Sequence, residues 1–116
     1  MSMWQGQRIP EVDVVDASAG GEARVLLDVR EANEWDAGHA PGAVWVPLGQ
    51  LESARFQLPF NRRIVCVCRS GHRSKTATAQ LAQWGFDAVN MAGGMRSWAA
   101  QGLPVVRDDD SPGQVI

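Results

Sequence analysis

Short apolar runs alternate with stretches of helical pattern along the chain, and this alternation constrains the fold more than any other feature of the sequence. Four runs rich in β-branched and other apolar side chains are typical of buried strands, at residues 25–29, 43–46, 62–67 and 88–91. A weaker strand signal lies near residues 9–12. Helical patterns follow or separate these runs, at residues 31–37, 48–54, 74–84 and 95–101. The alternation predicts an α/β domain with a mostly parallel central sheet.

The carboxyl ends of the predicted strands are where a site is expected, because open parallel sheets bind ligands in the crevice at that edge. Asp28 and Arg30 lie at the end of the strand predicted over 25–29 and are candidate supporting residues. The alternative is structural, because residues in such positions commonly brace loops. In that case we expect an ion pair between Arg30 and Glu34.

Composition limits the chain to one ordinary globular domain. Its 116 residues are 45% hydrophobic and 21% charged, and a net charge of −2 argues against a general nucleic-acid binder. Neither a signal-peptide pattern nor a run approaching the roughly 20 apolar residues of a membrane span is present, so a cytoplasmic setting with no membrane partner is expected. We expect a flexible N-terminus at 1–7, a domain over 8–106 and a flexible acidic tail at 107–116.

A polar loop between the third predicted strand and the helix that follows carries the strongest chemical signal. Its residues are Cys68, Arg69, Ser70, Gly71, His72, Arg73 and Ser74. Backbone N–H groups in such a loop converge into an anion-binding nest. Gly71 allows the backbone to turn, and Ser74 is the predicted N-cap of the helix that follows. Arg69 and Arg73 add positive charge. A thiol in that field has a lowered pKa, so Cys68 is the candidate nucleophile.

Other interpretations of the cysteines and of the loop histidine stay open from the residues alone. A cysteine at the end of an apolar strand is commonly a small buried hydrophobe, and Cys66, inside the strand, is predicted to be one. The spacing of Cys66, Cys68, His39 and His72 lacks the pattern of a metal site, so no metal is expected. His72 either steers anions or is a solvated loop residue.

Several segments together resemble the rhodanese homology domain, a single-domain sulfurtransferase. The matching segments, in chain order, are 26–31 (LLDVRE), 34–35 (EW) and 38–43 (GHAPGA), then 68–74 (CRSGHRS), then 93–95 (GGM), Trp98 and 102–105 (GLPV). The first group resembles the family's first signature, the second its active-site loop and the third its closing signature. The resemblance covers roughly residues 8–106.

The resemblance implies a three-layer α/β domain in which helices flank a central, mostly parallel five-stranded sheet. It also implies that Cys68 accepts a sulfane sulfur from an anionic donor such as thiosulfate and passes it on from a persulfide. The acceptor would be cyanide, a thiol or a protein thiol. The loop amides of residues 69–74, with Arg69 and Arg73, would bind the donor, and no cofactor is expected beyond the covalent persulfide.

Two other functions stay open at the level of sequence. The loops of cysteine-loop phosphatases and arsenate reductases resemble a pattern of one Cys, five residues and one Arg. In this chain only four residues separate Cys68 from Arg73. The tighter ring has fewer amides and suits a sulfur atom better than a tetrahedral phosphate. A non-catalytic binding module with the same fold is the other alternative, and the presence of both Cys68 and Arg73 argues against it.

A basic segment is hidden in the near-neutral total charge. Between Glu52 and Asp87 the chain has six basic residues and no acidic one, so this segment carries +6 and the rest of the chain −8. Because Cys68 lies near its centre, we expect the segment to attract a small sulfur oxyanion. A solvated basic face is the alternative for its first three arginines.

Overall fold

The computed structural model describes residues 8–116, and its elements follow the predicted alternation. The strands are β1 (Glu11–Val12), β2 (Arg24–Asp28), β3 (Val44–Trp45), β4 (Arg63–Val67) and β5 (Ala88–Met91). The α-helices are α1 (Val14–Ala19), α2 (Ala32–Ala37), α3 (Leu51–Ala54), α4 (Arg73–Gln83) and α5 (Gly94–Ala100). The N-terminal segment predicted to be flexible, residues 1–7, lies outside the described residues.

The five strands form one sheet in the order β1-β5-β4-β2-β3, and every paired neighbour is parallel. This confirms the predicted α/β class. Asp28 at the end of β2 is opposite Val67 at the end of β4, so the chain leaves both central strands at the same edge of the sheet. The residues that follow these two strands therefore meet at one edge, where the sequence predicts a site.

Side chains that alternate along the strands build a hydrophobic core on each face of the sheet. One face packs Leu27, Ile64 and Cys66 against apolar residues that include Leu51 of α3 and Leu81 of α4. The opposite face packs side chains of the same strands against α1 and α5, with Leu26, Val65, Val14, Met95 and Trp98 among them. The domain thus has three layers, with helices on both sides of the sheet.

The first helix has only a weak sequence signal. Asp13 caps α1 because its carboxylate accepts a hydrogen bond from the amide of Asp16 at 2.8 Å. Val14 and Ala17 are the buried residues on the inner side of the helix. The helix is six residues long, too short for hydrophobic periodicity to stand out.

The C-terminal segment differs from the predicted flexible tail. Asp108, Asp109 and Asp110 do lie in an exposed turn, but the chain then returns to the domain. Gly113 N donates to Val105 O and Gln114 N donates to Ala37 O, both at 2.9 Å. The acidic run correctly predicts that the turn is exposed to solvent. It does not predict that the chain beyond the turn returns to the domain, where Val115 packs against the core.

No helix within residues 8–116 is both long and apolar enough to cross a membrane.

Candidate functional site

Cys68 lies one residue beyond the end of β4, and its sulfur faces the inside of the loop that leads to α4. Gly71 N donates to Cys68 Sγ at 3.1 Å and Ser74 N donates to it at 3.4 Å. The Ser74 hydroxyl is 3.3 Å from the same sulfur. The Cys68 residue is only 1% exposed, so these polar groups contact a sulfur that otherwise packs in the apolar cluster of Leu27 and Leu81.

Two amides at the start of α5 hold the outer side of this loop. Met95 N donates to Cys68 O at 2.8 Å and Arg96 N donates to Arg69 O at 2.9 Å. The close approach requires glycine at position 94, where φ is +60° and a Cβ would lie 2.5 Å from Cys68 O. Because the Arg69 carbonyl shares a peptide unit with the N–H of Ser70, holding that carbonyl toward α5 turns the Ser70 amide toward the sulfur.

The middle of the loop is fixed by a second close contact. Gly71 has φ +97°, and a Cβ there would lie 3.2 Å from Gly93 N. The buried amide of Asn90 on β5 donates to Gly71 O at 3.3 Å and to the Glu11 carboxylate at 2.7 Å. Asn90 thus links the loop to the edge strand, a role that the sequence analysis missed.

Burial and hydrogen bonding act in opposite directions on the Cys68 thiol. Burial raises its pKa, but donors from Ser74, Gly71 and Ser70 outweigh burial, so the pKa of Cys68 lies below that of an ordinary thiol. Cys66, two residues earlier in the strand, is fully buried, and burial raises its pKa to about 12. The structure therefore separates a neutral packing thiol, as predicted for Cys66, from a thiol whose pKa is lowered.

Ser74 contacts the sulfur instead of capping the helix, so the predicted N-cap is wrong. Helix α4 begins at Arg73 with His72 as its N-cap residue, and no side chain makes the capping hydrogen bond. Ser74 is already inside the first turn, fully buried, with its hydroxyl toward Cys68. In the sequence, a serine that caps a helix cannot be told from a serine in the first turn that contacts a neighbouring sulfur.

Arg73 is held by Glu34 of α2, which sequence reasoning did not place at the site. Its two terminal guanidinium nitrogens donate to the two carboxylate oxygens of Glu34 at 2.7 and 2.8 Å. This fork geometry is the strongest arrangement for such a pair. The hydrogen bond from Arg73 lowers the pKa of Glu34, so the carboxylate stays charged and offsets the arginine beside the loop.

The other polar loop residues point outward. Arg69 Nε donates at 2.9 Å to the backbone oxygen of Ile116, at the end of the C-terminal segment that returns to the domain. Ser70 and His72 are exposed. The first arginines of the basic segment lie elsewhere: Arg62 and Arg63 are at the start of β4, the opposite end of that strand from Cys68. The positive charge at the loop is therefore smaller than the sequence count suggests.

Asp28 and Arg30 pair with each other, so the predicted Arg30–Glu34 ion pair is wrong. Arg30 donates to both oxygens of the Asp28 carboxylate at 2.8–3.1 Å and to Gly38 O at 2.8 Å, and both residues are fully buried. These contacts brace the turn at Gly38 and do not reach Cys68. No cluster of His, Cys, Asp or Glu side chains within residues 8–116 is arranged to hold a metal ion.

Comparison with known proteins gives one consistent result. The family model of the rhodanese-like domain matches residues 11–101. A sulfurtransferase of Allochromatium vinosum is 38% identical over 76% of this chain and 83% of its own length. YrkF of Bacillus subtilis, whose name describes a sulfur carrier protein, is 40% identical over 69% of this chain, and this chain spans only 44% of YrkF.

Structural comparison agrees. The crystal structure of a rhodanese-related protein from Thermoplasma volcanium superposes with a TM-score of 0.80 at 30% identity. The match covers 84% of this chain and 97% of that one.

The Ser74→Ala variant tests the source of the low thiol pKa. Removing a hydroxyl that donates to the sulfur should raise the pKa of Cys68 by about one unit, because hydrogen bonds to the ionised form favour it. The measurement is the pH dependence of the rate of alkylation by iodoacetamide, in a Cys66→Ala background. Ser53→Ala, which removes an exposed hydroxyl far along the chain from this loop, is the control and should leave the profile unchanged. A midpoint that does not move in Ser74→Ala would contradict the assignment.

The Glu34→Gln variant should shift the same titration the other way. Removing the carboxylate leaves the charge of Arg73 uncompensated near the sulfur, so the pKa of Cys68 should fall. The matched control is Asp36→Asn, which removes one negative charge from the exposed side of the same helix. An unchanged or higher pKa in Glu34→Gln alone would show that the carboxylate does not offset Arg73.

Proposed function

The chain belongs to the rhodanese-like domain family, and on that premise we propose that it is a sulfurtransferase that carries sulfane sulfur as a persulfide on Cys68. One observation carries the proposal. A thiol with a lowered pKa lies inside a loop whose amides converge on its sulfur. A lowered pKa increases the fraction of nucleophilic thiolate at neutral pH, and the same amides are in place to hold the negative charge that passes through the sulfur.

The first half-reaction loads the sulfur from an anionic donor such as thiosulfate. The Cys68 thiolate attacks the outer sulfur of the donor, and the donor's sulfur–sulfur bond breaks. Its electron pair leaves with sulfite, and the new bond joins Cys68 Sγ to the transferred sulfur. The product is an anionic persulfide, so the total charge on both sides is the same. No metal or redox cofactor is needed for this step.

The second half-reaction returns the enzyme to its starting state. A thiophilic acceptor, which is cyanide, a small thiolate or a protein thiolate, attacks the outer sulfur of the persulfide. The persulfide bond breaks and its electron pair returns to Cys68 Sγ, which regenerates the thiolate. The amides of Ser70, Gly71 and Ser74 stabilise the charge before and after transfer, and they need little reorganisation because α5 and Asn90 hold the loop.

Arg69 and Arg73 can bind the anionic donor only if they exchange their present hydrogen-bond partners for it. Arg73 is paired with Glu34 and Arg69 with the oxygen of Ile116. Both contacts are on side chains at least partly open to solvent, so an arriving dianion can compete for them.

Intact-mass measurement after incubation with thiosulfate tests the proposal. Wild type and Cys66→Ala should each gain the mass of one sulfur atom, because Cys66 stays neutral and buried. Cys68→Ser should gain none, and cyanide should remove the added mass with release of thiocyanate. Absence of loading by any sulfane donor would overturn the proposal. If no sulfur is loaded, hydrolysis of an aryl phosphate would favour a phosphatase. If no activity of either kind is found, a non-catalytic binding module would be favoured.

A further inference from the structure

The two most exposed large apolar side chains within residues 8–116 lie in the segment that leads into β4. Phe56 is 82% exposed and Phe60 is 65% exposed. The Phe60 ring stacks on the ring of Phe86, which comes just before β5, with the ring centroids 4.1 Å apart. Because the strands are parallel, these rings lie where β4 and β5 begin, at the edge of the sheet opposite to Cys68. A contiguous exposed apolar patch of this kind marks an interaction surface.

Arg55 lies between two rings of the same patch. Its guanidinium carbon is 4.8 Å from the centroid of the Phe56 ring and 4.9 Å from that of the Trp84 ring. These cation–π contacts hold the guanidinium in place. Its N–H groups make no hydrogen bond or ion pair with any residue that the structure describes. Arg55 therefore presents donors that are already oriented and available to a carboxylate from outside the chain.

These side chains enclose an open groove of about 260 Å³, which we call the aromatic groove. It is lined by Arg55, Phe56, Phe60, Trp84 and Phe86. The volume is below the roughly 300–1,000 Å³ of pockets that enclose a small-molecule ligand, so it suits one large side chain presented by another protein. Phe, Trp and Arg are also the residue types enriched in protein interfaces, where a few such anchors supply most of the binding energy.

The charge around the aromatic groove is positive and only partly compensated. The basic segment has no acidic residue between positions 53 and 86. Arg62, two residues after Phe60, donates only to the backbone oxygens of Glu22 and Arg24, so no carboxylate offsets its charge. The half of the basic segment that lies away from Cys68 is therefore complementary to an acidic partner.

A second copy of the chain fits this surface less well than an acidic partner. In a two-fold contact the same patch meets itself, so Arg55 of each copy would approach the other with like charge. The acidic residue that follows the groove, Asp87, is 3.4 Å from Arg63 and forms no ion pair with Arg55.

We propose that the aromatic groove binds an acidic segment of another protein. The segment inserts one aromatic or aliphatic side chain between the rings and places a carboxylate on Arg55. Helix α4 begins beside the Cys68 loop and ends next to Trp84, and its 11 residues span about 16 Å. A protein held at the groove therefore leaves the loop open to small molecules. Docking does not depend on sulfur chemistry, and it would raise the local concentration of a partner that exchanges sulfur with the domain.

Selection of random linear peptides displayed on phage, with the intact chain as the immobilised target, tests the proposal. The enriched peptides should share one aromatic or aliphatic side chain next to aspartate or glutamate. A fluorescein-labelled peptide of the shared sequence is then titrated by fluorescence anisotropy. Phe60→Ser and Arg55→Gln should each weaken its binding about tenfold or more, as expected for interface anchors. Added salt should weaken binding to wild type more than binding to Arg55→Gln.

Two control variants change similar side chains on the other face of the sheet. Val15→Ser removes an exposed apolar side chain from α1, and Arg96→Gln removes an exposed positive charge from α5. Both should bind the peptide as wild type does. Circular dichroism establishes that all four variants are folded, which the exposed positions of Phe60 and Val15 lead us to expect.

Three results would overturn the proposal. They are the absence of a shared sequence, a shared sequence without acidic residues, and unchanged binding in folded Phe60→Ser and Arg55→Gln. Sedimentation equilibrium adds a fourth: a wild-type dimer that Phe60→Ser converts to a monomer would assign the groove to a second copy of the chain. Persulfide loading is measured separately by intact mass, so failure of the docking surface and failure of the proposed function are distinguishable.

Discussion

Two backbone hydrogen bonds, from the first amides of α5 to the carbonyls of Cys68 and Arg69, determine the geometry on which the rest of the site depends. A peptide unit cannot turn its carbonyl one way without turning its N–H the other, so holding the Arg69 carbonyl outward turns the amide of Ser70, one of the donors to the sulfur, inward. The helix can approach this closely only because position 94 has no side chain. The glycine at the start of α5 therefore acts on the chemistry of a sulfur that it does not touch.

The inward amides explain why two cysteines separated by one residue have opposite properties. Cys66 and Cys68 both point to the same face of the sheet and are both almost fully buried. Cys66 is surrounded mainly by apolar side chains, so desolvation dominates and keeps it neutral. Cys68 is beyond the end of the strand, where backbone donors are not consumed by sheet pairing and are free to hold an anion. A cysteine inside the parallel strand therefore only packs, whereas a cysteine just beyond the end of the strand meets backbone donors that can stabilise its thiolate.

Much of this could be predicted from the sequence, because the signals are local. The alternation of strands and helices predicted the fold class, and the polar loop after an apolar strand pointed to Cys68 and Gly71, whereas it gave Ser74 the wrong role of helix N-cap. Side-chain partners were harder: Glu34 and Arg73 are 39 residues apart, and Arg69 and Ile116 are 47 apart. Such pairs depend on how the loops pack at the sheet edge, which no local pattern encodes. The Arg30–Glu34 prediction failed for this reason, because Glu34 pairs with Arg73 of another element and Arg30 pairs with Asp28.

The most direct test of the central claim is the pKa of Cys68 in Gly94→Ala. The added methyl group would stand within 2.6 Å of backbone atoms of Cys68 and Arg69, so the loop and helix must separate. The pKa can be followed by NMR titration of ¹³C-labelled cysteine in a Cys66→Ala background, with circular dichroism to establish that the variant is folded. We predict that the pKa of Cys68 rises toward that of an ordinary thiol while the domain stays folded. A folded variant whose Cys68 keeps the lowered pKa of the wild type would contradict the claim that loop amides, held by α5, lower the pKa of the sulfur.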